Sequence, residues 1–216
     1  MILLRLLQID CPAHFTKVKC GMARKMEFDY DKAVDQAMRV FWRHGYSGAS
    51  LRDLLKAMKI GEGSFYNTLK SKKRLYSECL KRYGEIEGKK RSLALTSAPN
   101  ASLGIRAMLS AMFDSLDDPK SPSPLCMFAG MISEDVMADH ELKKAIIMRV
   151  NQTQKTIEDK INEDKKAGRL PKNYDAGTIA TILVTYFQGI WRMAMISYKR
   201  EQFERESEAF LQGLGL

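Results

Sequence analysis

The chain has 216 residues, 45% of them hydrophobic and 28% charged, with a formal net charge of +9. This is ordinary globular composition, long enough for one compact unit or for a small head on a larger body. The four cysteines (Cys11, Cys20, Cys79, Cys126) make no CxxC pair and have no His-rich partner segment, which excludes a structural zinc site and a disulfide framework and suits a reducing, cytoplasmic setting.

The positive charge is unevenly placed. Residues 1–91 hold 20 Lys/Arg against 10 Asp/Glu, whereas residues 92–216 hold 15 against 16. A basic head on a neutral body is the footprint of a nucleic-acid-binding domain joined to something else.

In chain order, MILLRLLQID is too short and too interrupted by Arg5 for a signal segment. Met22 opens MARKMEFDYDKA, which reads as a natural start, so residues 1–27 are expected to be an N-terminal extension, 1–21 being an upstream-start addition or a loosely held arm. From Tyr30, apolar residues recur at Val34, Ala37, Met38 and Phe41, a helical spacing, and Gly45 supplies its stop. Ser50 with Asp53 fits a capping box opening a short helix with Leu51, Leu54, Leu55 and Met58 on its apolar side. After a loop at 59–61, a second short helix carries Phe65 and Leu69, and a longer one from Lys72 carries Leu75, Cys79, Leu80 and Tyr83. Ser102 starts another with Ile105, Met108, Leu109, Met112, Phe113 and Leu116 in phase, before the proline loop DDPKSPSPL. Helices are predicted at 126–138, 140–165, 175–197 and 200–213, an all-α protein of about nine helices.

The stretch KIGEGSFYNTLKSKKRL, residues 59–75, places two glycines beside a basic run. A dinucleotide loop is excluded because Tyr66 occupies the third glycine position and no strand precedes; a Walker loop is excluded because Gly-Lys-Ser/Thr is missing. Two short helices joined by a turn with Ile60 as its apolar plug fit a helix-turn-helix instead. In that frame Gly61 caps the second helix and Gly63 leaves its first turn clear of a groove. Glu62, Ser64 and Asn67 then project from the exposed face toward base edges, and Tyr66 and Lys72 reach the sugar-phosphate backbone.

Residues 28–75 resemble the DNA-binding head of the tetracycline-repressor (TetR) family of bacterial regulators. Ser50, Ile60, Gly63, Phe65, Tyr66, Leu69, Lys72 and Leu75 stand at the places of the family's pattern. The chain departs from it at Lys59, where a turn Gly is usual, at Gly61, where Ser often caps, and at Thr68 and Leu69, so base preference does not carry over. The resemblance implies that Ser50, Tyr66 and Lys72 grip phosphate while Glu62, Ser64 and Asn67 face the groove; Arg52 and Gly61 complete the candidate DNA-binding set. It also implies a helical body over 76–216 that dimerises and binds an effector, and a ligand-released repressor acting on a near-palindromic double-stranded operator.

The segment 176–197, AGTIATILVTYFQGIWRMAMIS, is long enough to cross a bilayer but contains Thr, Gln, Gly and Arg192. A helix buried in a subunit interface explains it better: Ile179, Ile182, Leu183, Tyr186, Ile190 and the cluster Trp191 to Met195 make it apolar on most of its circumference. The body is methionine-rich, and Met108, Met112, Phe113, Cys126, Phe128, Met131, Met148, Tyr186 and Trp191 are candidates to line an apolar pocket for a small hydrophobic effector. Cys126, at a predicted helix start, is a candidate for an activated thiol, although a packed, inert side chain is the commoner case for a free cysteine. His14, His44 and His140 have no metal-ligand spacing and no nucleophile motif is visible, so no metal, cofactor or enzymatic activity is expected. The competing reading is a small-molecule or redox-sensing helical protein with weak or lost DNA binding.

Overall fold

The computed structural model describes residues 28–216; the expectations for residues 1–27 lie outside that span. Among the described residues there is no strand, and the chain is a series of helices. α1 (Tyr30–Gly48), α2 (Leu51–Met58), α3 (Glu62–Thr68) and α4 (Lys72–Tyr83) make the first group. α5 (Lys89–Thr96), α6 (Ala101–Asp117), α7 (Met127–Gly130), α8 (Glu134–Ala138), α9 (His140–Lys166), α10 (Ala176–Ala194) and α11 (Arg200–Gly213) follow. A π-helical turn, Gly84–Gly88, joins α4 to α5, so the helix predicted from Lys72 continues to Thr96.

Side-chain caps start most of these helices, each supplying an acceptor for an otherwise unpaired N–H. Asp29 accepts from Lys32, Ser71 from Arg74, Asn100 from Leu103, Asp139 from Glu141 and Leu142, and Asp175 from Thr178. Ser50 caps α2 in a variant of the expected box. Its hydroxyl accepts from the Asp53 N–H at 3.1 Å and donates to the Asp53 carboxylate at 2.6 Å.

The head is held by an apolar wedge between α1, α2, α3 and α4. Phe41, Leu54, Phe65, Leu69, Leu75 and Cys79 are fully buried there, and Tyr76 lies 4.8 Å from Phe41 and 4.9 Å from Tyr46, ring to ring. Burying each large side chain contributes roughly 1.5–3 kcal/mol, which a seven-residue helix such as α3 needs, since isolated helices that short do not persist in water. Gly45 breaks α1 as predicted, with φ of 72°, but a further turn runs on to Gly48.

Two features differ from the sequence reading. The helix predicted over 126–138 is two short pieces, broken at Met131–Ser133; the Arg192 guanidinium donates to the carbonyls of Ala129 (2.9 Å) and Ile132 (3.2 Å) there. The predicted head boundary at residue 75 falls inside α4, a helix that packs on α1 along its length, from Tyr76 against Phe41 to Tyr83 against Trp42, and then leads into α5. In the single chain α10, the helix expected at a subunit interface, is not buried all round. Leu183, Phe187, Ile190 and Trp191 are buried, whereas Met193 and Met195 are more than half exposed. No described helix is long and apolar enough to cross a membrane.

Candidate nucleic-acid interface and effector cavity

α2 and α3 meet at a turn whose geometry follows from two residues. Lys59 closes α2 in the left-handed conformation (φ 56°, ψ 40°), its N–H pairing with the Leu55 and Lys56 carbonyls. Ile60 packs half-buried on the core. Left-handed backbone normally selects glycine, because a Cβ there crowds the following carbonyl at about 1–2 kcal/mol. The family-like turn is therefore kept, at some strain, without its usual residue.

α3 faces both ways. Phe65 is wholly buried and Tyr66 stands beside it, 5.2 Å away edge-on and 46% exposed. Gly61, Glu62, Gly63 and Asn67 are exposed, Ser64 is half-buried, and Ser50 and Arg52 are exposed at the start of α2. A Cβ built on Gly63 would touch nothing within 4 Å, so no internal contact requires glycine there.

The basic run after α3 divides by role. Lys70 (φ 65°) and Arg74 are exposed. Lys72 is half-buried with its ammonium 4.8 Å above the Tyr46 ring, and burial lowers its pKa against the opposing pull of Asp135. Lys73 points to the body instead, bridging Asp139 at 3.3 Å and Glu141 at 2.7 Å.

Further ties join head and body. The Trp42 indole donates to the Leu125 carbonyl at 2.7 Å, Arg39 to the Lys120 carbonyl at 2.9 Å, and the Ser47 hydroxyl to Asp135. Trp42 also packs edge-on against Tyr83, 4.9 Å between centroids. The segment after the proline loop is thus fastened to α1.

That same segment walls a cavity of about 840 Å³ in the body, within the usual size range for small-molecule sites. Of the residues predicted to line a pocket, Met108, Met112, Cys126, Phe128, Met148 and Trp191 do so. Phe113, Met131 and Tyr186 do not. Phe113 is buried edge-on against Phe203, Met131 is buried at the α7–α8 break, and Tyr186 stacks on Phe210 at 3.9 Å with its hydroxyl 3.0 Å from Ser207. Helical periodicity marks a residue as inward-facing without saying which of several inner surfaces it meets.

Cys126 is buried and accepts from the Tyr83 hydroxyl at 3.3 Å, with the Arg91 guanidinium 3.9 Å from its sulfur. The helix that follows it, α7, is four residues long, so the helix-dipole argument for a reactive thiol loses its basis. Cys79 is buried as well, and burial pushes its thiol pKa up.

Sequence reasoning missed the cavity's cations. Arg91 was counted with the basic head, yet it is 7% exposed and lines the cavity; Arg149 of α9 lines it too. The available signal was spacing. Arg149 sits three residues after buried Ile146 and one before Val150, on the apolar stripe of its helix.

Comparison with known proteins agrees with this arrangement. The sequence pattern described as "Bacterial regulatory proteins, tetR family" matches residues 33–79, which spans α1 to α4. The HTH-type transcriptional repressor ComR of Escherichia coli (strain K12) is 25% identical over 177 residues, 80% of this chain and 82% of ComR. The HTH-type transcriptional regulator YezE of Bacillus subtilis (strain 168) is 30% identical over 125 residues, 57% of this chain and 63% of YezE. Among solved structures, a cysteine mutant of the TetR-family regulator CifR in complex with 26-base-pair operator DNA superposes with a TM-score of 0.79 at 27% identity. It covers 86% of this chain and 97% of CifR. A helix-turn-helix head whose residues 33–79 match the tetR-family pattern, an all-helical body and these relatives make the chain a TetR-like DNA-binding transcriptional regulator and not an enzyme.

Proposed function

We propose that this regulator is a repressor that grips a near-palindromic operator as a homodimer and is released by a small molecule entering the cavity of its body. In this reading residues 28–75 are the DNA-binding head and 76–216 the effector-binding and dimerisation body. The observation that carries it is the short path between the two: the Leu125 carbonyl held by Trp42 is adjacent in sequence to Cys126, which lines the cavity. A molecule that displaces the 125–128 segment shifts α1, and with it the presentation of α3.

On DNA, α3 enters the major groove with Glu62, Ser64 and Asn67 toward base edges. Ser50, Arg52, Tyr66 and Lys72 contact the sugar-phosphate backbone, and Gly61 and Gly63 allow close approach. Glu62 is suited to a cytosine amine and repels phosphate, so it sets preference by exclusion as well as by attraction. The operator complex of CifR and the repressor description of ComR support this reading. Dimerisation is supported by the exposed face of α10, where Thr181, Thr185, Gly189 and Met193 are exposed at helical spacing and Ile196 beyond it is 78% exposed. Small and apolar residues left unpartnered on one face suit a second copy packed helix to helix.

The test is fluorescence anisotropy with duplexes selected from the host genome, from 50 to 200 mM salt. Affinity is expected to fall with log salt at a slope of about −0.9 per phosphate contact. Lys72→Ala should weaken all duplexes alike, whereas Asn67→Ala should change base preference at one position per half-site. Salt-independent binding would exclude operator recognition and favour a small-molecule sensor that has lost DNA binding.

A further inference from the structure

The cavity walls are largely apolar, from Leu80, Met108, Met112, Phe128, Phe187 and Trp191, yet two guanidinium groups reach into them. Arg91 is buried. Its Nη2 donates to the Tyr83 hydroxyl at 3.4 Å, while its Nη1 has no hydrogen-bond partner. The nearest carboxylate oxygen, Glu87 Oε2, lies 3.6 Å from that Nη1 and already accepts from the Ser115 hydroxyl at 3.1 Å.

Arg149 arrives from the other side. Its guanidinium carbon is 4.9 Å above the Phe128 ring, and no described carboxylate lies within ion-pairing distance. It passes over Gly88, in the π turn, where a Cβ would run into the guanidinium. Gly88 and Arg91 are three residues apart, on one side of the same rod. The Arg91 guanidinium is 5.7 Å from the Tyr83 ring, and Tyr83 and Phe128 meet edge to face at 5.2 Å, so both cations flank one aromatic pair.

Among the charged residues of the lining, Lys81, Glu85 and Lys89 are exposed, which leaves buried Arg91, with Glu87 beside it, and half-buried Arg149 as the cations turned to the apolar interior. A buried guanidinium nitrogen without a hydrogen-bond partner, as Arg91 Nη1 is, is unfavourable, and an acceptor on a ligand would complete it. Burial, and next the charge of Arg91, hold the Arg149 pKa below its ordinary value.

We propose that the effector is an amphipathic carboxylate, its apolar part against the methionines and Trp191 and its two oxygens shared between Arg91 Nη1 and the Arg149 guanidinium. This rests on the reading of the cavity as the effector site, and it replaces the expectation of a purely hydrophobic effector. A carboxylate fits the planar donor fork of arginine, and its two oxygens give one acceptor to each guanidinium group.

The experiment titrates the full chain with decanoate against 1-decanol and 4-phenylbutyrate against 4-phenyl-1-butanol, read by tryptophan fluorescence, since Trp191 lies 5.6 Å from the Arg91 guanidinium. Each carboxylate is expected to bind at least tenfold tighter than its alcohol. Arg149→Gln should remove that advantage and leave the alcohol affinity unchanged, and Arg149→Met serves as a second variant. Circular dichroism and operator binding verify that both variants fold. Equal binding of acid and alcohol, or a carboxylate advantage that survives both variants, would overturn the proposal while leaving the cavity as the effector site. Failure of all four compounds to bind at millimolar concentration, with operator binding intact, would overturn both.

Discussion

Replacing Gly63 by alanine separates what the fold needs from what DNA binding needs. In the free protein the new methyl meets nothing within 4 Å, and Gly63 lies in the first turn of a helix, where glycine is a poor choice. Glycine destabilises a helix by roughly 0.5–1 kcal/mol relative to alanine, through backbone entropy in the unfolded chain. Gly63→Ala should therefore stabilise the head by up to about 1 kcal/mol, a rise in Tm of about 2–4 °C for a chain of this size. If α3 enters a groove, the same methyl is driven against sugar or base. Overpacking of that kind costs about 1–3 kcal/mol, about five- to 150-fold in affinity. Urea and thermal melts at fixed protomer concentration, with anisotropy on the operator, read the two effects. A variant that is more stable and binds DNA as tightly as the parent would refute the placement of Gly63 at the interface.

The turn residue offers the converse test: Lys59→Gly relieves the left-handed strain, less the entropy of glycine, and should raise stability by about 0.5–1 kcal/mol in urea melts. Trp42→Phe keeps an aromatic ring near Tyr83 but strands the Leu125 carbonyl. It should cost about 1–2 kcal/mol in denaturant melts and reduce the difference in operator affinity with and without effector. Acid should loosen the head from the body. The Leu142 N–H foremost, then Lys73, hold the Asp139 carboxyl below its usual pKa, and the Ser133 and Ser47 hydroxyls do the same for Asp135. Groups lowered in the folded state stabilise above their unfolded value near pH 4, and that contribution is lost as pH falls through the lowered values. Melts from pH 7 to 2 should decline below about pH 4, with Asp139→Asn flattening the decline.

Much of this molecule was legible in the sequence because its information is local. The periodicity from Tyr30, the Ser50–Asp53 cap, the proline loop and the glycine, aromatic and lysine spacing of α3 depend on neighbours a few residues apart, and the helices stand where those signals place them. The exposure of Glu62, Gly63, Tyr66 and Asn67 follows from the same 3.6-residue period once Phe65 is inward. The cavity was not legible in the same way. Phe113, Met131 and Tyr186 have the same inward periodicity as Met108 and Met112, and only the crossing of α6, α9 and α10 decides which of them meet empty space. Arg91 is the sharper case. By composition it belongs to a basic head, but the π turn and the packing of α9 bring it beside Arg149, under Tyr83 and Phe128. The helical period and the exposed face of α3 are local properties, which the amino-acid order sets even where tertiary burial is needed to hold the helix. The charge inside the body is a property of contacts between residues dozens of positions apart, which only the tertiary fold decided.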